Sequence, residues 1–436
     1  MKRAICAISG AFLASGAALA APTLEQWTTT QGARVLFVAA PEIPMLDVRV
    51  VFAAGSARDD GAAGLANLTS SLLEEGAGEL DADAFSQHLA ATGAIMHVGA
   101  ERDMAYASLR TMVEVAYADP ALALFTSALS APRFDAAALA RRKAQILLAL
   151  EQRTQSPDAL ADDTFFAYCF PDHPYGAPAD GTRASVSALD RGAVKAFHAR
   201  YYVAQNAVIA LVGALDRKQA EALADRIAAE LAPGERAHEL PPVATARGRE
   251  HHVAFPSVQS HVRIGLPGIS RKDPDYFALV VGNHALGGNS MASILFDEVR
   301  NQRGLSYSVS SYFVPMAQQG PFIAALQTSG ERQDEALRVL RDTLLEFVSS
   351  GPPPAAIARA KQNLIDGFPL RVASNAQLVE YIAMIGFYDL PQDYLATFPE
   401  RVAAVTPQAV KDAFARRVLI DHLTTVVVGR APPDSP

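Results

Sequence analysis

The sequence predicts an α+β fold made of two homologous halves, each a mostly antiparallel sheet packed with helices. Three observations support this prediction. The chain has 436 residues, about 50% of them hydrophobic, which is more than one ordinary core accommodates. Several short segments recur in the second part of the chain at a nearly constant offset. Between the two sets lies a segment of linker composition that contains PGERAHELPPVATARG.

The repeat consists of four matches in the same order along the chain. VRVVF from Val48 recurs as VRIGL from Val262, 214 positions later, and ALARRK from Ala138 recurs as AIARAK from Ala356, 218 positions later. Two further matches, AVK from Ala193 and VG from Val212, recur 216 positions later. One such match could arise by chance, but four in order indicate a duplicated unit of a little over 200 residues.

The first unit reads as strands, helix, strands, helices and a final strand. After two strands, the loop GSARDDG leads into a helix. Asp59 and Asp60 in this loop are suitable acids for the N-terminus of that helix. Its leucines repeat at helical spacing until Gly76. The other predicted elements are strands at 34–38, 46–52 and 207–212, a strand pair at 94–109 with a turn at 101–103, and helices at 83–91, 113–129, 135–153, after Pro157 and at 191–201.

The first 21 residues have the pattern of a secretory signal peptide. Lys2 and Arg3 precede an apolar run that ends at Ala18-Leu-Ala-Ala21, although a buried N-terminal helix would share this hydrophobicity. We therefore expect a periplasmic protein. The predicted organisation is a signal peptide (1–21), an N-terminal α+β domain (22–230), a linker (231–248), a C-terminal α+β domain (249–430) and a tail (431–436).

Charge and cysteine content exclude several classes of function. The formal net charge is −8, and removing Lys2 and Arg3 makes it more negative by two. Because the basic residues are dispersed, we expect no nucleic acid partner and no anionic membrane partner. Cys169 would be the sole cysteine after cleavage, so no intrachain disulfide is expected, and its aromatic surroundings favour a buried structural thiol.

Several motifs resemble the pitrilysin/insulinase metallopeptidases, most closely the short, processing-peptidase-type branch. In the first unit these are Phe52-x-x-Gly-Ser-x-x-Asp, Gly64-Leu-Ala, His173-Pro-Tyr-Gly and Tyr201-Tyr-x-x-x-Asn206. In the second unit Leu295-Phe-Asp-Glu-Val-Arg300 is followed by Gly304-Leu-Ser-Tyr307-Ser. The resemblance covers residues 24 to 430, and it implies two halves of the LuxS/processing-peptidase type.

The resemblance also implies where a zinc site would lie. Active members carry His-x-x-Glu-His directly after Gly-Leu-Ala, where two histidines ligate zinc and the glutamate activates water. The matching positions here are Asn67, Ser70 and Ser71, which are poor zinc ligands and provide no carboxylate base. The family's third ligand, a later glutamate, falls at Ala149 or Leu150, or at Glu151 if the register shifts. We therefore expect this chain to hold no metal and no catalytic residue.

A replacement site is not expected elsewhere. His251, His252 and His261 form the densest group of histidines, but adjacent residues of a strand point to opposite faces. No Gly-x-Ser-x-Gly nucleophile motif is present.

The second unit retains a pair of residues to which the resemblance gives a role. In the family that the sequence resembles, an Arg and a Tyr seven positions apart bind the substrate backbone and help stabilise the transition state. Arg300 and Tyr307 match this pair in spacing and context. Two other interpretations are open from the residues alone. Arg300 could complement the C-terminus of a helix predicted at 291–302, and Tyr307, in phase with Leu305 and Val309, could be a core residue.

Together these features predict a non-catalytic subunit of a periplasmic, heterodimeric zinc peptidase. The expected partner is a catalytic subunit that carries His-x-x-Glu-His and the zinc, and peptides are the expected substrates. This chain would donate Arg300 and Tyr307 to that site and would be inactive alone. The alternatives are a structural or assembly subunit, like the family's core proteins in a respiratory complex, and a peptide-binding protein that acts without proteolysis.

Overall fold

A computed structural model describes residues 23–244, 247–289 and 291–430. The predicted signal peptide and tail lie outside the described residues. Two β-sheets, each packed with helices, confirm the predicted α+β class with two similar halves. Within the described part of the chain, no helix is both long and apolar enough to cross a membrane.

The first sheet has six strands in the order β1-β2-β6-β3-β5-β4. All neighbours are antiparallel except β2 and β6, which run parallel. Its strands are β1 (Glu25–Thr28), β2 (Arg34–Ala39), β3 (Met45–Phe52), β4 (Ile95–Ala100), β5 (Ala105–Met112) and β6 (Ala207–Gly213).

Two helices of the first half, Arg183–Ala188 and Arg217–Glu230, were not predicted, and the others begin and end within a few residues of the predicted positions. The exception is α1, which ends in turns after Ser71 instead of continuing to Gly76. The helices are α1 (Leu65–Ser71), α2 (Ala82–Thr92), α3 (Val115–Ser130), α4 (Ala136–Thr154), α5 (Pro157–Cys169), α6 (Arg183–Ala188), α7 (Arg191–Tyr201) and α8 (Arg217–Glu230).

The second sheet repeats the order of the first without the edge strand β1. Its order is β7-β11-β8-β10-β9, again with one parallel pair, β7 and β11. The strands are β7 (Glu250–Ala254), β8 (Gln259–Ile269), β9 (Ser308–Phe313), β10 (Gly320–Ser329) and β11 (Thr424–Gly429). This agreement in topology is what a duplicated unit predicts.

The helices of the second half include two π-helical turns, His284–Gly288 and Asp297–Asn301. The α-helices are α9 (Tyr276–Asn283), α10 (Ile294–Phe296), α11 (Gln333–Ser350), α12 (Pro354–Arg371), α13 (Asn375–Phe387), α14 (Tyr394–Ala404) and α15 (Pro407–Arg417). Between Glu230 and Glu250 the described residues form neither helix nor strand; the exact domain boundaries remain a prediction.

Each half covers a face of the other half's sheet with one of its own helices. Helix α5 packs on β8 and β11, and α13, which lies 218 positions after α5, packs on β3 and β6. The approach of α13 is so close that a Cβ at Gly386 would lie 2.3 Å from Leu36 Cδ1. One core cluster accordingly combines residues of both halves.

Helices α5 and α13 each form an ion pair with the sheet that they cover, and the two ion pairs lie at equivalent positions of the repeat. Arg49 on β3 lies 3.5 Å from the Glu380 carboxylate on α13. In the other half, Arg263 on β8 lies 2.6 Å from the Asp162 carboxylate on α5. The arginines are 214 positions apart and the acids 218, which are the offsets of the repeat.

The turn between β4 and β5 connects the halves through one buried carboxylate. Asp103 accepts hydrogen bonds from the Tyr175 hydroxyl at 2.6 Å, the Tyr388 hydroxyl at 2.9 Å and the Ala317 backbone N–H at 2.7 Å. Tyr175 belongs to the first half, whereas Tyr388 and Ala317 belong to the second. Burial, reinforced by Asp103, raises the pKa of both phenols, so they remain neutral donors.

Candidate functional site

Helix α1 presents the three positions of the degenerate zinc motif. The helix follows Gly64, and the Asp59 carboxylate accepts hydrogen bonds from the backbone N–H groups of Gly64 and Ala66, each at 2.8 Å. This confirms Asp59 as an N-terminal acid of the helix. Burial raises the pKa of Asp59 to about 7, although these backbone hydrogen bonds act in the opposite direction.

Asn67, Ser70 and Ser71 engage in hydrogen bonds within the protein. Asn67 Nδ2 donates to the Asp180 carboxylate at 3.1 Å. The hydroxyl of Ser70, which is 1% exposed, donates to the Asn67 carbonyl at 3.1 Å, and that of Ser71 donates to the Leu68 carbonyl at 2.9 Å. The three side chains share one helix face, but they offer no imidazole and no carboxylate. Asp180, 113 residues away, gave no signal in the sequence.

The candidate positions for a third ligand do not complete a site. Ala149 and Leu150 on α4 have no metal-binding atoms in their side chains. Glu151 is exposed and forms an ion pair with Arg183 at 2.9 Å. Among the residues that the structure describes, no group of three or more His, Cys, Asp or Glu side chains could hold a metal ion.

The histidines noted in the sequence contact different partners. His251 stacks on Tyr168 with ring centroids 3.3 Å apart, while His252 lies 3.3 Å from Glu250. His261 Nδ1 lies 3.0 Å from the Asp158 carboxylate. These contacts hold three separate side chains in place and do not bring them together.

Arg300 lies on the π-helical turn Asp297–Asn301. The helix predicted from 291 starts only at Ile294, because the Ser293 side chain accepts from the Phe296 N–H and caps it there. Gly304, at φ +60°, ends the segment. The Arg300 guanidinium lies over the Phe296 ring at 4.8 Å and over the Tyr307 ring at 5.7 Å; Phe296 was not singled out by the sequence.

Tyr307 is one of the most exposed large side chains among the described residues, at 86% relative accessibility. Leu305 and Val309, with which it alternates, are both 3% exposed. The alternative that Tyr307 is a core residue is therefore wrong. The residue also precedes β9 by one position instead of lying on the strand.

Arg300 and Tyr307 are thus adjacent, exposed and directed away from the core. A guanidinium and a phenol placed side by side can donate several hydrogen bonds to one carbonyl or oxyanion. The motif positions Asn67, Ser70 and Ser71, in contrast, supply no imidazole and no carboxylate. The Arg300–Tyr307 arrangement therefore supports recognition of a polar group.

Comparisons with known proteins find matches to both halves of the chain. The family model for insulinase (peptidase family M16) matches residues 34–183, and the model for the peptidase M16 inactive domain matches residues 188–364. A crystal structure of a peptidase M16 inactive domain from Pseudomonas fluorescens is 38% identical with a TM-score of 0.91, covering 95% of this chain and 99% of that one.

Two curated relatives illustrate both sides of the family. An uncharacterized zinc protease of Streptomyces coelicolor is 31% identical over 297 residues, 65% of this chain and 63% of that protein. The match thus spans somewhat less than two thirds of that relative's length. The non-peptidase homolog YmxG of Helicobacter pylori is 26% identical over 397 residues, 90% of both chains.

These matches extend over both halves, and the zinc-motif positions hold Asn67, Ser70 and Ser71. The chain belongs to peptidase family M16 and is an inactive homologue within it.

Proposed function

We propose that this chain is the non-catalytic subunit of a heterodimeric zinc peptidase and that it donates Arg300 and Tyr307 to the active site of its partner. The observation that carries the proposal is the contrast between the two halves. The motif helix has lost every zinc-binding side chain, while Arg300 and Tyr307 stand next to each other on the surface. An exposed Arg–Tyr pair, in a chain whose zinc-motif positions hold no zinc ligand, is available to a second protein.

The chemistry of the pair suits peptide hydrolysis. In the partner, zinc would supply Lewis acidity and an activated water at a His-x-x-Glu-His motif. Arg300 would donate hydrogen bonds from its guanidinium to the peptide carbonyl, and these strengthen as negative charge develops on that oxygen. The Tyr307 hydroxyl would add one further donor. Phe296, beneath the guanidinium, would restrict its orientation.

We place this complex in the periplasm. The support is the N-terminal pattern of Lys2, Arg3, an apolar run and Ala-x-Ala, which directs export. The single cysteine left in the predicted exported chain, Cys169, is buried, so the fold needs no disulfide in that compartment.

Reconstitution tests the proposal. The chain, an M16 partner with an intact His-x-x-Glu-His, and the equimolar mixture are assayed for cleavage of a fluorogenic peptide with and without a chelator. We expect zinc-dependent cleavage by the mixture and little from either chain alone. Full zinc-dependent activity of the purified single chain would refute the proposal.

A second measurement separates a catalytic contribution from a purely structural one. The Arg300→Ala, Tyr307→Phe double variant is mixed with the same partner, and complex formation is checked by gel filtration. We expect an intact complex with strongly reduced turnover. Unchanged turnover would instead assign the chain a structural or assembly role.

A further inference from the structure

We propose that a pocket beside the end of helix α7 binds an oxyanion, that is, a phosphate or carboxylate group. The pocket has a volume of about 300 Å³ and lies in the first half. Three segments line it: the loop after β3 with Arg58, the end of α7 at 199–201, and residues 234–238 that follow α8. None of these residues belongs to the degenerate zinc motif or to the Arg300–Tyr307 pair.

Positive charge dominates the lining. Arg58, Arg200 and Arg236 each carry a guanidinium, and the His238 side chain also lines the pocket. Glu235 is the one acid among the lining residues that the structure describes. Asp60, which lies outside the pocket, forms an ion pair with Arg200 at 3.1 Å. The Arg200 side chain is 60% exposed and that of Asp60 71%, so solvent screens this ion pair.

Arg58 is the most buried of the three arginines that line the pocket. Its Nε atom is buried and has no hydrogen-bond partner among the described residues. Burial lowers the pKa of Arg58, and Tyr201, Asp103 and Asp60 act on it through space without a hydrogen bond. The two terminal guanidinium nitrogens are not buried and donate to no other described residue, so they are free to donate to an acceptor in the pocket. The planar fork of a guanidinium matches the paired oxygens of a carboxylate or phosphate.

The groups at the end of helix α7 are compatible with a bound anion. The Arg200 guanidinium lies over the buried Tyr201 ring at 4.9 Å. The C-terminus of a helix disfavours anions, but the Tyr201 carbonyl already accepts from Asn206 Nδ2 at 2.7 Å, and that of His198 accepts from the Tyr202 N–H at 2.9 Å. Within the lining itself, the three guanidinium groups outnumber the single carboxylate of Glu235.

The oxyanion could come from free phosphate or from the C-terminal carboxylate of a peptide, and titration calorimetry distinguishes the two. The purified chain is titrated with sodium phosphate, with a short peptide that has a free C-terminus, and with the same peptide as its C-terminal amide. We expect phosphate or the free-carboxylate peptide to bind, and the amide to bind at least tenfold more weakly than the free acid if the peptide is the ligand.

Variants test whether binding occurs at this pocket. Arg58→Gln should weaken binding by about tenfold or more, whereas Lys195→Ala, which removes an exposed positive charge from the same helix, should leave it unchanged. If Arg58→Gln does not fold, Arg236→Ala tests the pocket at an exposed position. Absence of binding of both anions at millimolar concentration, or equal weakening by the pocket variants and Lys195→Ala, would overturn the proposal.

Discussion

Replacement of Asp103 by alanine should lower the free energy of unfolding by about 3–5 kcal/mol. The carboxylate is 5% exposed and accepts three hydrogen bonds, from Tyr175, Tyr388 and Ala317. Removing it leaves two hydroxyls and one backbone N–H without their acceptor. Each unsatisfied buried donor costs about 1–3 kcal/mol, and partial entry of water reduces the sum.

The expected loss is graded across related variants. Tyr388→Phe removes one of the three hydrogen bonds but leaves the carboxylate two donors, so we expect about 1–2 kcal/mol. Asp103→Asn keeps one acceptor oxygen and should fall between Tyr388→Phe and Asp103→Ala. Asp297→Ala is the control, because that carboxylate is exposed and contacts only Asn301 and Gln302 of its own turn; it should change stability by about 0.5 kcal/mol or less.

Urea unfolding followed by circular dichroism measures these differences. Tyr388 and Ala317 lie in the opposite half from Asp103, so Asp103→Ala should also increase proteolytic cleavage between residues 231 and 248. A loss below about 1 kcal/mol for Asp103→Ala, or one no larger than for Asp297→Ala, would refute the role of this carboxylate in joining the halves.

Three further predictions concern titration, reactivity and metal content. Asp59 has a pKa of about 7 in the folded protein, above its unfolded value of about 3.9. Between these two pH values the folded state binds more protons than the unfolded state. The free energy of unfolding therefore falls as the pH rises through this window, by at most about 1.4 kcal/mol per pH unit. Thermal unfolding at pH 5 to 8 should show this fall in the wild type and a flatter curve for Asp59→Asn; equal curves would contradict it. Burial raises the pKa of the Cys169 thiol, so a thiol reagent should label it only after unfolding, and rapid labelling of the native chain would contradict its position. Elemental analysis of the purified chain should find far less than one zinc per molecule, and a stoichiometric zinc would show a site outside the motif positions.

The sequence predicted those features that depend on local pattern or on repetition. The offsets of 214 and 218 positions located equivalent strands and helices, and the leucine spacing after Gly64 placed the motif helix. The leucine spacing is a pattern of residues close together in the chain, and the offsets come from segments that occur twice in it. The residues missing from the zinc motif, Asn67, Ser70 and Ser71, could likewise be read directly from the chain.

Features that depend on distant contacts could not be predicted. Hydrophobic periodicity shows that α13 is buried, but not that it covers the sheet of the opposite half. Asp103 reads as an ordinary turn acid, because its donors lie 72, 285 and 214 positions away. Alternation left a core position open for Tyr307 as an alternative, whereas the preceding glycine turn and the start of β9 at Ser308 direct it to solvent.

The turnover number of the reconstituted complex tests the proposed subunit role most directly. Arg300→Ala is compared with a control, Arg303→Ala. Arg303 is an exposed arginine of the same segment, and it forms an ion pair with Glu298 at 2.5 Å. Removal of an oxyanion donor should lower kcat by about 100- to 1,000-fold for Arg300→Ala, with the complex intact and Arg303→Ala close to wild type. Equal kcat values for the wild type and Arg300→Ala would contradict the role of this chain in its partner's active site.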